Sequence, residues 1–345
     1  MPTSQLASES AELPGIADKL AFLSRAEAYG PAPARVAVVE THMSYVFLAG
    51  ARVYKLKKPV RFPFLDFTTL ESRERNCREE VRLNSRLSPS VYLGVAPLTF
   101  DAAAGFSIAG RGRIVDWLVE MRRLPDEEML DKLILSGRLR DAHIGAIAET
   151  LSRFYCEAPP SVIAAAEYSK RFFDEQAINR DILLRTVRKL DRANDAVILD
   201  GLDRALIENR AALDARVTSG CIVDGHGDLR PEHICLTTPV AIFDCLEFNC
   251  DLRQVDPFDE MMFLGMECAQ LGAEDFGRKL IAEMAQRLRR APSAQLLSLY
   301  GAWRAVLRAR LSIAHLLDAS PRQPEKWEPL AGRYLELAQR FLGGQ

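Results

Sequence analysis

The sequence has no run of about 18 apolar residues, so we expect no membrane-spanning helix. Its first residues, MPTSQLASESAELPG, lack a basic start followed by an apolar stretch, and a secretory signal is not expected. Its seven cysteines are an odd number with no CxxC pair, which argues against a disulfide framework and a zinc ribbon. We therefore expect a protein of the reducing cytoplasm.

A large excess of charge is also missing. The formal net charge of the 345 residues is −2, which favours neither a nucleic-acid partner nor a membrane partner. Locally, however, residues 51–90 contain ten Lys or Arg against five Asp or Glu, and residues 221–276 contain twelve Asp or Glu against Arg230 and Arg253. The first segment suits anionic ligands and the second suits cations, although two solvated faces would produce the same pattern.

Short β-branched and aromatic runs between residues 34 and 121 predict an antiparallel sheet. An amphipathic helix is predicted before the sheet, over residues 16–29. A charged helix is predicted within it, over residues 68–87, with Thr68 or Thr69 as the N-cap. The predicted strands are residues 36–39, 45–48, 52–56, 95–99, 106–108 and 115–121.

After Leu124-Pro125 the pattern becomes helical, apart from a short β-rich segment at residues 221–246. The predicted helices are residues 127–135, 141–157, 169–193 and 198–216, and further helices from residue 257 to the end. This order predicts an α+β fold rather than an alternating βαβ one. It divides the chain into a β-rich part over residues 1–121, a connection over residues 122–125 and a helical part over residues 126–345.

One short segment, IVDGHGDLRPEHICLTTPVAIFD, carries the strongest functional pattern. Its apolar runs Ile234–Leu236 and Val240–Phe243 flank a Thr-Thr-Pro turn and predict a hairpin. Because a hairpin folds back on itself, Asp228 before it and Asp244 at its end can converge with His233. Such acceptors suit phosphoryl transfer, in which one carboxylate deprotonates the attacking hydroxyl and others hold magnesium against a triphosphate.

Two other interpretations of this segment stay open. His226 and Asp228 could do no more than cap a turn, as short polar residues in Gly-containing loops often do. His226, Asp228 and His233 also form an HxDx4H cluster, which could belong to a metallohydrolase that needs no nucleotide.

HGDLRPEHI followed by IFD resembles the catalytic loop and metal-binding motif of the aminoglycoside and choline kinases, in the protein-kinase-like superfamily. The resemblance implies a bilobal fold, with an antiparallel-sheet N-terminal lobe containing one helix and a mostly helical C-terminal lobe. It makes Asp228 the catalytic base and Asp244 a magnesium ligand. His233 stands where the family has an asparagine ligand, so either it binds the metal, favouring manganese, or Glu247 or water takes the place. His226 then braces the loop.

The following stretch, EFNCDLRQVDPFDEMMFLGMECAQLG, resembles uncharacterised bacterial aminoglycoside phosphotransferase-like proteins. Some relatives carry an added P-loop domain. The sequence contains no GxxxxGK[ST], so we do not expect such a domain to supply its ATP site. Asp256 and Asp259 could tie the catalytic loop in place or cap the next helix.

The nucleotide side of the resemblance involves Lys55 and Glu80. Lys55 and Lys57 share one face of a predicted strand, and Lys55 resembles the lysine that binds the ATP phosphates, with Lys57 as the alternative. Glu80 on the predicted helix resembles the acid that orients this lysine, with Glu79 as the alternative. Judged by charge alone, the lysine-rich strand and the glutamates of the helix would be interpreted as solvated faces.

Two further segments of the nucleotide site are implied by the resemblance. No GxGxxG is present, and the turn Thr41-His42-Met43-Ser44 could replace it, with Ser44 donating to a phosphate. VEMRRLP resembles the interlobe hinge, where the backbone of Arg122 and Leu124 would meet the adenine. The implied cofactors are ATP and Mg, with Mn possible.

The phosphate acceptor is expected to be a small hydroxylated molecule. The acidic segment 221–276 is compatible with a cationic acceptor such as an amino alcohol, whereas a fold shared by many functions does not specify an aminoglycoside. Arg304, Arg308 and Arg310 would favour an anionic acceptor if they faced the cleft, but a solvated stripe is the favoured interpretation. A nucleotide-binding module with degraded catalysis is the remaining alternative, because of His233 and the missing glycines.

Overall fold

The computed structural model describes residues 14–30, 33–62, 65–185, 192–317, 321 and 323–343. The chain divides into two compact units. The first unit comprises the residues up to Leu124 together with Glu247–Asn249, and the second comprises Pro125–Leu246 and Cys250–Gln345. The boundary after Leu124 lies inside the connection expected at residues 122–125, whereas the sequence did not indicate that Glu247–Asn249 belongs to the first unit.

The first unit is built on antiparallel strands. The strands are β1 (Val36–Glu40), β2 (Ser44–Ala49), β3 (Arg52–Lys57), β4 (Arg61–Phe62), β5 (Leu65–Asp66), β6 (Tyr92–Asp101), β7 (Gly105–Ile108) and β8 (Arg113–Arg122). Among the described residues, one sheet has the order β1-β2-β3-β8-β6-β7, and β4 pairs with β5 in a separate hairpin. The predicted antiparallel hairpins are confirmed.

One face of this sheet packs against the N-terminal helix α1 (Ile16–Leu23). Phe47, Leu56, Leu98 and Leu118 contribute fully buried side chains from four strands, and Leu23 joins them from α1. Burial of such side chains contributes about 1.5–3 kcal/mol each, so this cluster holds α1 on the sheet.

The second helix, α2 (Leu70–Asn84), packs against β6 and β8. Its N-cap is Thr69, one of the two predicted candidates, whose hydroxyl accepts a hydrogen bond from the Ser72 amide at 3.1 Å. Cys77, Leu83 and the carboxyl-bearing Glu80 are all buried on its inner side. The buried glutamate is thereby presented to the interior of the unit.

The second unit is mostly helical. Its helices are α3 (Leu130–Leu135), α4 (Ala142–Glu157), α5 (Ala165–Arg185), α6 (Arg192–Thr218), α7 (Pro257–Gln270), α8 (Glu274–Leu288), α9 (Ala294–Ala314) and α10 (Pro324–Leu342). Two short antiparallel pairs interrupt them, β9 (Val223–Asp224) with β12 (Gln254–Val255) and β10 (Ile234–Cys235) with β11 (Ala241–Ile242). Together with the sheet of the first unit, this arrangement confirms the predicted α+β fold.

Helices α7 and α9 form the centre of the second unit. Phe258 of α7 and Tyr300 and Val306 of α9 are fully buried, and Tyr334 of α10 packs against the same cluster. No helix within the described ranges is both long and apolar enough to cross a membrane. No disulfide bond forms among the seven cysteines, all of which lie in described segments, as the sequence predicted.

Several predicted helices differ in their bounds from those observed, among them the helices expected at residues 198–216, 16–29 and 169–193. The helix expected over residues 198–216 begins earlier, at Arg192. The helix expected over residues 16–29 ends at Leu23 and is followed by a 3-10 turn at Ala26–Ala28. The Tyr29 hydroxyl donates to the Leu23 carbonyl at 2.5 Å and thereby caps the shorter helix. The helix expected over residues 169–193 begins earlier, at Ala165, and is described as far as Arg185; residues 186–191 lie outside the described part.

Asp116 of β8 is a buried anion that joins two other elements of the first unit. Its carboxylate accepts hydrogen bonds from Arg73 Nε at 2.7 Å and from Lys19 Nζ at 2.8 Å. All three side chains are almost completely buried. Asp116 therefore links α1 and α2 to the sheet.

We expect Asp116→Ala to lower the free energy of unfolding by about 3–5 kcal/mol, because it leaves Arg73 and Lys19 buried without their common anion. Urea denaturation followed by circular dichroism measures this change. Glu74→Ala is the matched control, since it removes only the exposed Glu74–Arg78 pair and should cost about 0–1 kcal/mol. Equal costs for the two variants would contradict the role assigned to Asp116.

Candidate active site

Two lysines of β3 meet one buried glutamate in the first unit. Lys55 and Lys57 are two positions apart, so their side chains leave the same face of the strand. Glu80 of α2 accepts from Lys55 Nζ at 2.8 Å with Oε1 and from Lys57 Nζ at 2.7 Å with Oε2. Lys57 Nζ also donates to Glu247 Oε1 at 2.5 Å. The predicted residues Lys55 and Glu80 are therefore in direct contact.

The two lysines differ in their surroundings. The Lys57 side chain is 1% exposed, whereas that of Lys55 is 14% exposed. Burial alone would lower the pKa of Lys57, but the carboxylates of Glu247 and Glu80 outweigh it and raise this pKa. Lys57 is thus a permanently charged, enclosed cation, and Lys55 is the lysine that a ligand can approach.

The alternative acid, Glu79, lies on the outer side of α2. Its carboxylate contacts Arg82 one turn later, and the Arg82 side chain is 58% exposed and that of Glu79 34% exposed. Glu79 belongs to the solvated face that charge alone would predict, in contrast to the buried Glu80.

The remaining predicted nucleotide contacts are less favourably placed. Ser44 is buried, and its amide already donates to Thr41 Oγ1 at 3.0 Å, so this geometry does not favour a role in binding phosphate. The Arg122 amide donates to the Val91 carbonyl at 2.8 Å. Because this amide is already used, the predicted contacts with adenine are reduced to the Arg122 carbonyl and the backbone of Leu124.

In the second unit, the loop that carries Asp228 is held by Glu260 of α7. Glu260 Oε2 accepts from the His226 amide at 3.1 Å and from the Tyr155 hydroxyl at 2.7 Å, and Oε1 accepts from the Gly227 amide at 2.5 Å. All three donors converge on one buried carboxylate. Nothing in the sequence pattern singled out Glu260 beyond its position next to Asp259.

Two glycines allow this close approach of the loop to α7. A Cβ at Gly225 would lie 2.7 Å from Glu260 Oε2 and 2.5 Å from Val255 Cγ2. Gly227 has a φ of +88°, a conformation that side chains disfavour. The contact with Glu260 therefore requires a glycine at position 225, and the left-handed backbone favours one at position 227.

Asp256 and Asp259, which the sequence offered as loop braces, have other partners. Asp256 caps α7 by accepting from the Phe258 amide at 2.9 Å, and it pairs with Arg216 at 2.5 Å. Asp259 makes a two-point ion pair with Arg304, at 2.8 and 2.6 Å. Capping is thus confirmed for Asp256, and the loop is tied by the neighbouring Glu260 instead.

His226 braces the same loop. Its Nδ1 accepts from the Asp228 amide at 3.3 Å, and its Nε2 donates to the Phe243 carbonyl at 2.9 Å. Both ring nitrogens are therefore used within the protein. This disfavours the HxDx4H metallohydrolase, which needs His226 as a metal ligand.

The predicted hairpin brings His233 next to Asp244. Ile234 pairs with Ile242, and the Phe243 amide donates to the His233 carbonyl at 3.0 Å, so the residue after Phe243 comes beside the histidine. Asp244 has a φ of +63°, a left-handed conformation that aspartate tolerates better than most residues. His233 Nε2 and Asp244 Oδ2 are 3.6 Å apart.

Asp228 itself is partly exposed and lies beside a cation. Arg230 Nη2 is 3.1 Å from Asp228 Oδ2, and Arg230 Nη1 is 2.8 Å from Glu232 Oε1. The His233 ring nitrogen Nδ1 lies 2.8 Å from the Asp228 carbonyl. Arg230 is a charged neighbour of the expected base that sequence reasoning did not single out.

The arginines of α9 do not form a solvated stripe, so that interpretation is wrong. Arg304 is buried against Asp259, Arg308 donates to Glu267 at 2.7 Å, and Arg310 donates to Glu175 at 2.8 Å. Each guanidinium is neutralised by a carboxylate of a neighbouring helix. These arginines therefore give no support to an anionic acceptor.

The donor atoms of the second unit fit a divalent cation. Asp244 supplies carboxylate oxygen and His233 supplies an imidazole nitrogen, which are common ligands of such ions. Within the described ranges, no group of three or more His, Cys, Asp or Glu side chains is arranged to hold a metal. A cation here would need further ligands from a bound phosphate and from water.

We expect Glu260→Gln to lower the free energy of unfolding by about 1–3 kcal/mol, because the amide NH₂ cannot accept from the loop. Hydrogen exchange at the His226 and Gly227 amides should accelerate, which mass spectrometry of loop peptides can follow. Glu274→Gln, on the surface of α8, is the control. Unchanged exchange in the loop would contradict the assigned role of Glu260.

Comparison with known sequences identifies relatives that are longer than this chain. No protein-family model matches the chain. Uncharacterised proteins of Mycobacterium tuberculosis H37Rv and Mycobacterium bovis are 35% identical to it over 296 residues, which is 82% of this chain and 56% of theirs. The chain thus spans about half the length of these curated relatives.

Comparison with solved structures identifies the fold. A choline/ethanolamine kinase family protein from Mesorhizobium loti covers 95% of this chain and 98% of its own, with 14% identity and a TM-score of 0.55. Choline kinase from Cryptosporidium parvum covers 94% of each chain, with 9% identity and a TM-score of 0.53. A thermostable mutant of an aminoglycoside phosphotransferase covers 94% and 98%, with 10% identity and a TM-score of 0.54. The fold of this chain is therefore similar to that of the choline/ethanolamine kinases and aminoglycoside phosphotransferases.

Proposed function

We propose that the protein is an ATP-dependent phosphotransferase that moves the γ-phosphoryl group of ATP to a hydroxyl of a small molecule. The observation that carries this proposal is the loop and hairpin of the second unit, which bring Asp228, His233 and Asp244 together. The fold supports the same class of reaction, because its solved neighbours are named as kinases of choline, ethanolamine and aminoglycosides.

Asp228 is the proposed base. Its carboxylate is 31% exposed, so a substrate hydroxyl can reach it, while its backbone is fixed by the loop contacts of His226. A positioned carboxylate of this kind orients the hydroxyl and accepts its proton as the new bond to phosphorus forms. Arg230 Nη2, 3.1 Å from Asp228 Oδ2, helps to orient this carboxylate.

Lys55 is the proposed phosphate-binding cation. Phosphoryl transfer depends mainly on positioned positive charge, because negative charge is spread over the phosphate oxygens. The contact with Glu80 orients the Lys55 ammonium, and Lys57 keeps Glu80 itself in place from the other carboxylate oxygen. Two charged side chains of the first unit, Glu80 and Lys57, thus orient the ammonium group of a third, Lys55.

Asp244 and His233 are the proposed metal ligands. A divalent cation held by them would neutralise the phosphates of the nucleotide. The left-handed backbone at Asp244 and the buried position of His233 fix where these ligands lie. Together with Asp228 and Lys55, they give the chain each charged group that the reaction needs, which favours catalysis over a module that only binds nucleotide.

The proposal can be tested with ATP, a divalent metal and a library of amino alcohols, sugars and aminoglycosides. We expect Asp228→Asn to lower turnover of any accepted substrate by about 10²–10⁴-fold while nucleotide binding persists. Measurement of phosphorylated product by mass spectrometry follows turnover. Turnover that is unchanged in Asp228→Asn would rule Asp228 out as the base.

Nucleotide binding provides a second test that needs no acceptor. Lys55→Ala should abolish most of the increase in melting temperature that ATP and metal produce, since the phosphates lose their cation. Lys170→Ala is the control, because Lys170 is an exposed lysine that pairs with Asp174 on the same helix. If the two variants respond to ATP alike, Lys55 does not bind the phosphates.

A further inference from the structure

The protonation of His233 follows from its hydrogen bonds. Its Nδ1 is 2.8 Å from the carbonyl oxygen of Asp228. A carbonyl oxygen can only accept, so Nδ1 must carry the proton and donate it. In the neutral imidazole, the lone pair then lies on Nε2, the nitrogen that points towards Asp244.

The distance from His233 Nε2 to Asp244 Oδ2 suits two ligands of one ion. At 3.6 Å the two atoms are too far apart for a hydrogen bond with each other. Two donors that each lie about 2.0–2.2 Å from a common cation are about 3–3.6 Å apart for bond angles between octahedral and tetrahedral. The pair therefore spans the gap that a small divalent cation fills.

The imidazole is held in this orientation. The His233 side chain is 7% exposed and lies between the rings of His226 and Phe243, with centroid distances of 6.0 and 6.1 Å. The hydrogen bond to the Asp228 carbonyl fixes the rotation of the ring, as a backbone carbonyl commonly does for metal-bound histidines. A cation bound to Nε2 would displace Arg230 Nη2, which now lies 3.4 Å from this nitrogen. Arg230 would still pair with Glu232 through Nη1.

We infer that this site selects Mn²⁺ over Mg²⁺, and that His233 is the residue responsible. Mg²⁺ strongly prefers oxygen ligands, whereas imidazole nitrogen is a good ligand for the divalent transition metals. Among these, Mn²⁺ also accepts carboxylate, phosphate and water oxygen, which must complete the coordination here. The inference rests on the proposed function, because the nucleotide supplies the remaining ligands.

Electron paramagnetic resonance tests this without any turnover. Mn²⁺ is titrated into the protein with ADP, and Mg²⁺ is used as the competitor, with the same competition on ADP alone as the reference. We expect the protein to raise the preference for Mn²⁺ by at least about tenfold over that of ADP alone. Electron spin echo modulation should also show coupling of the bound Mn²⁺ to an imidazole ¹⁴N.

The variant His233→Asn should bring the preference for Mn²⁺ back to that of ADP alone and remove the nitrogen coupling. His143→Asn, which changes a histidine of α4, should leave both unchanged. Should His233→Asn fail to fold, the nitrogen coupling in the unchanged protein decides by itself.

The possible failures can be told apart. If Mn²⁺ and ADP bind in a Lys55-dependent manner but without nitrogen coupling and without the added preference, the inference about His233 is wrong and the proposed phosphotransferase stands. If ADP and ATP do not bind with any divalent metal, the proposed function fails and the selectivity for Mn²⁺ fails with it.

Discussion

The loop of the second unit that carries Asp228 depends on one buried carboxylate, that of Glu260. Burying a carboxylate is costly unless donors replace the water it loses, and here two loop amides and the Tyr155 hydroxyl do so. Hydrogen bonds to a charged acceptor contribute about 1.5–3 kcal/mol each, enough to give the loop one conformation. Asp228 follows directly after the two bound amides, so its position is set by a residue that belongs to α7.

The first unit uses a glutamate in a related way. Glu80 is fully buried, and its two oxygens contact Lys55 and Lys57 separately. Because Lys57 is also paired with Glu247, its charge is balanced inside the unit, whereas Lys55 keeps part of its surface accessible. Each unit thus uses a buried glutamate to position a more exposed charged residue. In the second unit Glu260 fixes the backbone that leads into Asp228, and in the first unit Glu80 orients the Lys55 ammonium.

Part of the arrangement of the two sites could be predicted from local sequence patterns. The hairpin after Asp228 follows from apolar runs around a turn, and it alone brings Asp244 to His233. The strand period places Lys55 and Lys57 on one face. Glu260 could not be found in this way, because 33 residues separate it from Gly227 and only the packing of α7 decides which of two adjacent acids turns inward. The prediction that the arginines of α9 form a solvated stripe was wrong for the same reason. A helical pattern shows which residues share a face but not what covers that face.

At position 233 a histidine stands where the resemblance to the aminoglycoside and choline kinases implies an asparagine, and either side chain can support the same loop geometry. An asparagine amide has a donor and an acceptor, so it could bind the Asp228 carbonyl through its nitrogen and a metal through its oxygen. The neutral imidazole offers the same pair of functions, with Nδ1–H on the carbonyl and the lone pair of Nε2 towards Asp244. Either side chain can therefore make the hydrogen bond that supports the loop. If a metal binds here, it would meet nitrogen in place of oxygen, and that difference bears on the choice of metal rather than on the fold.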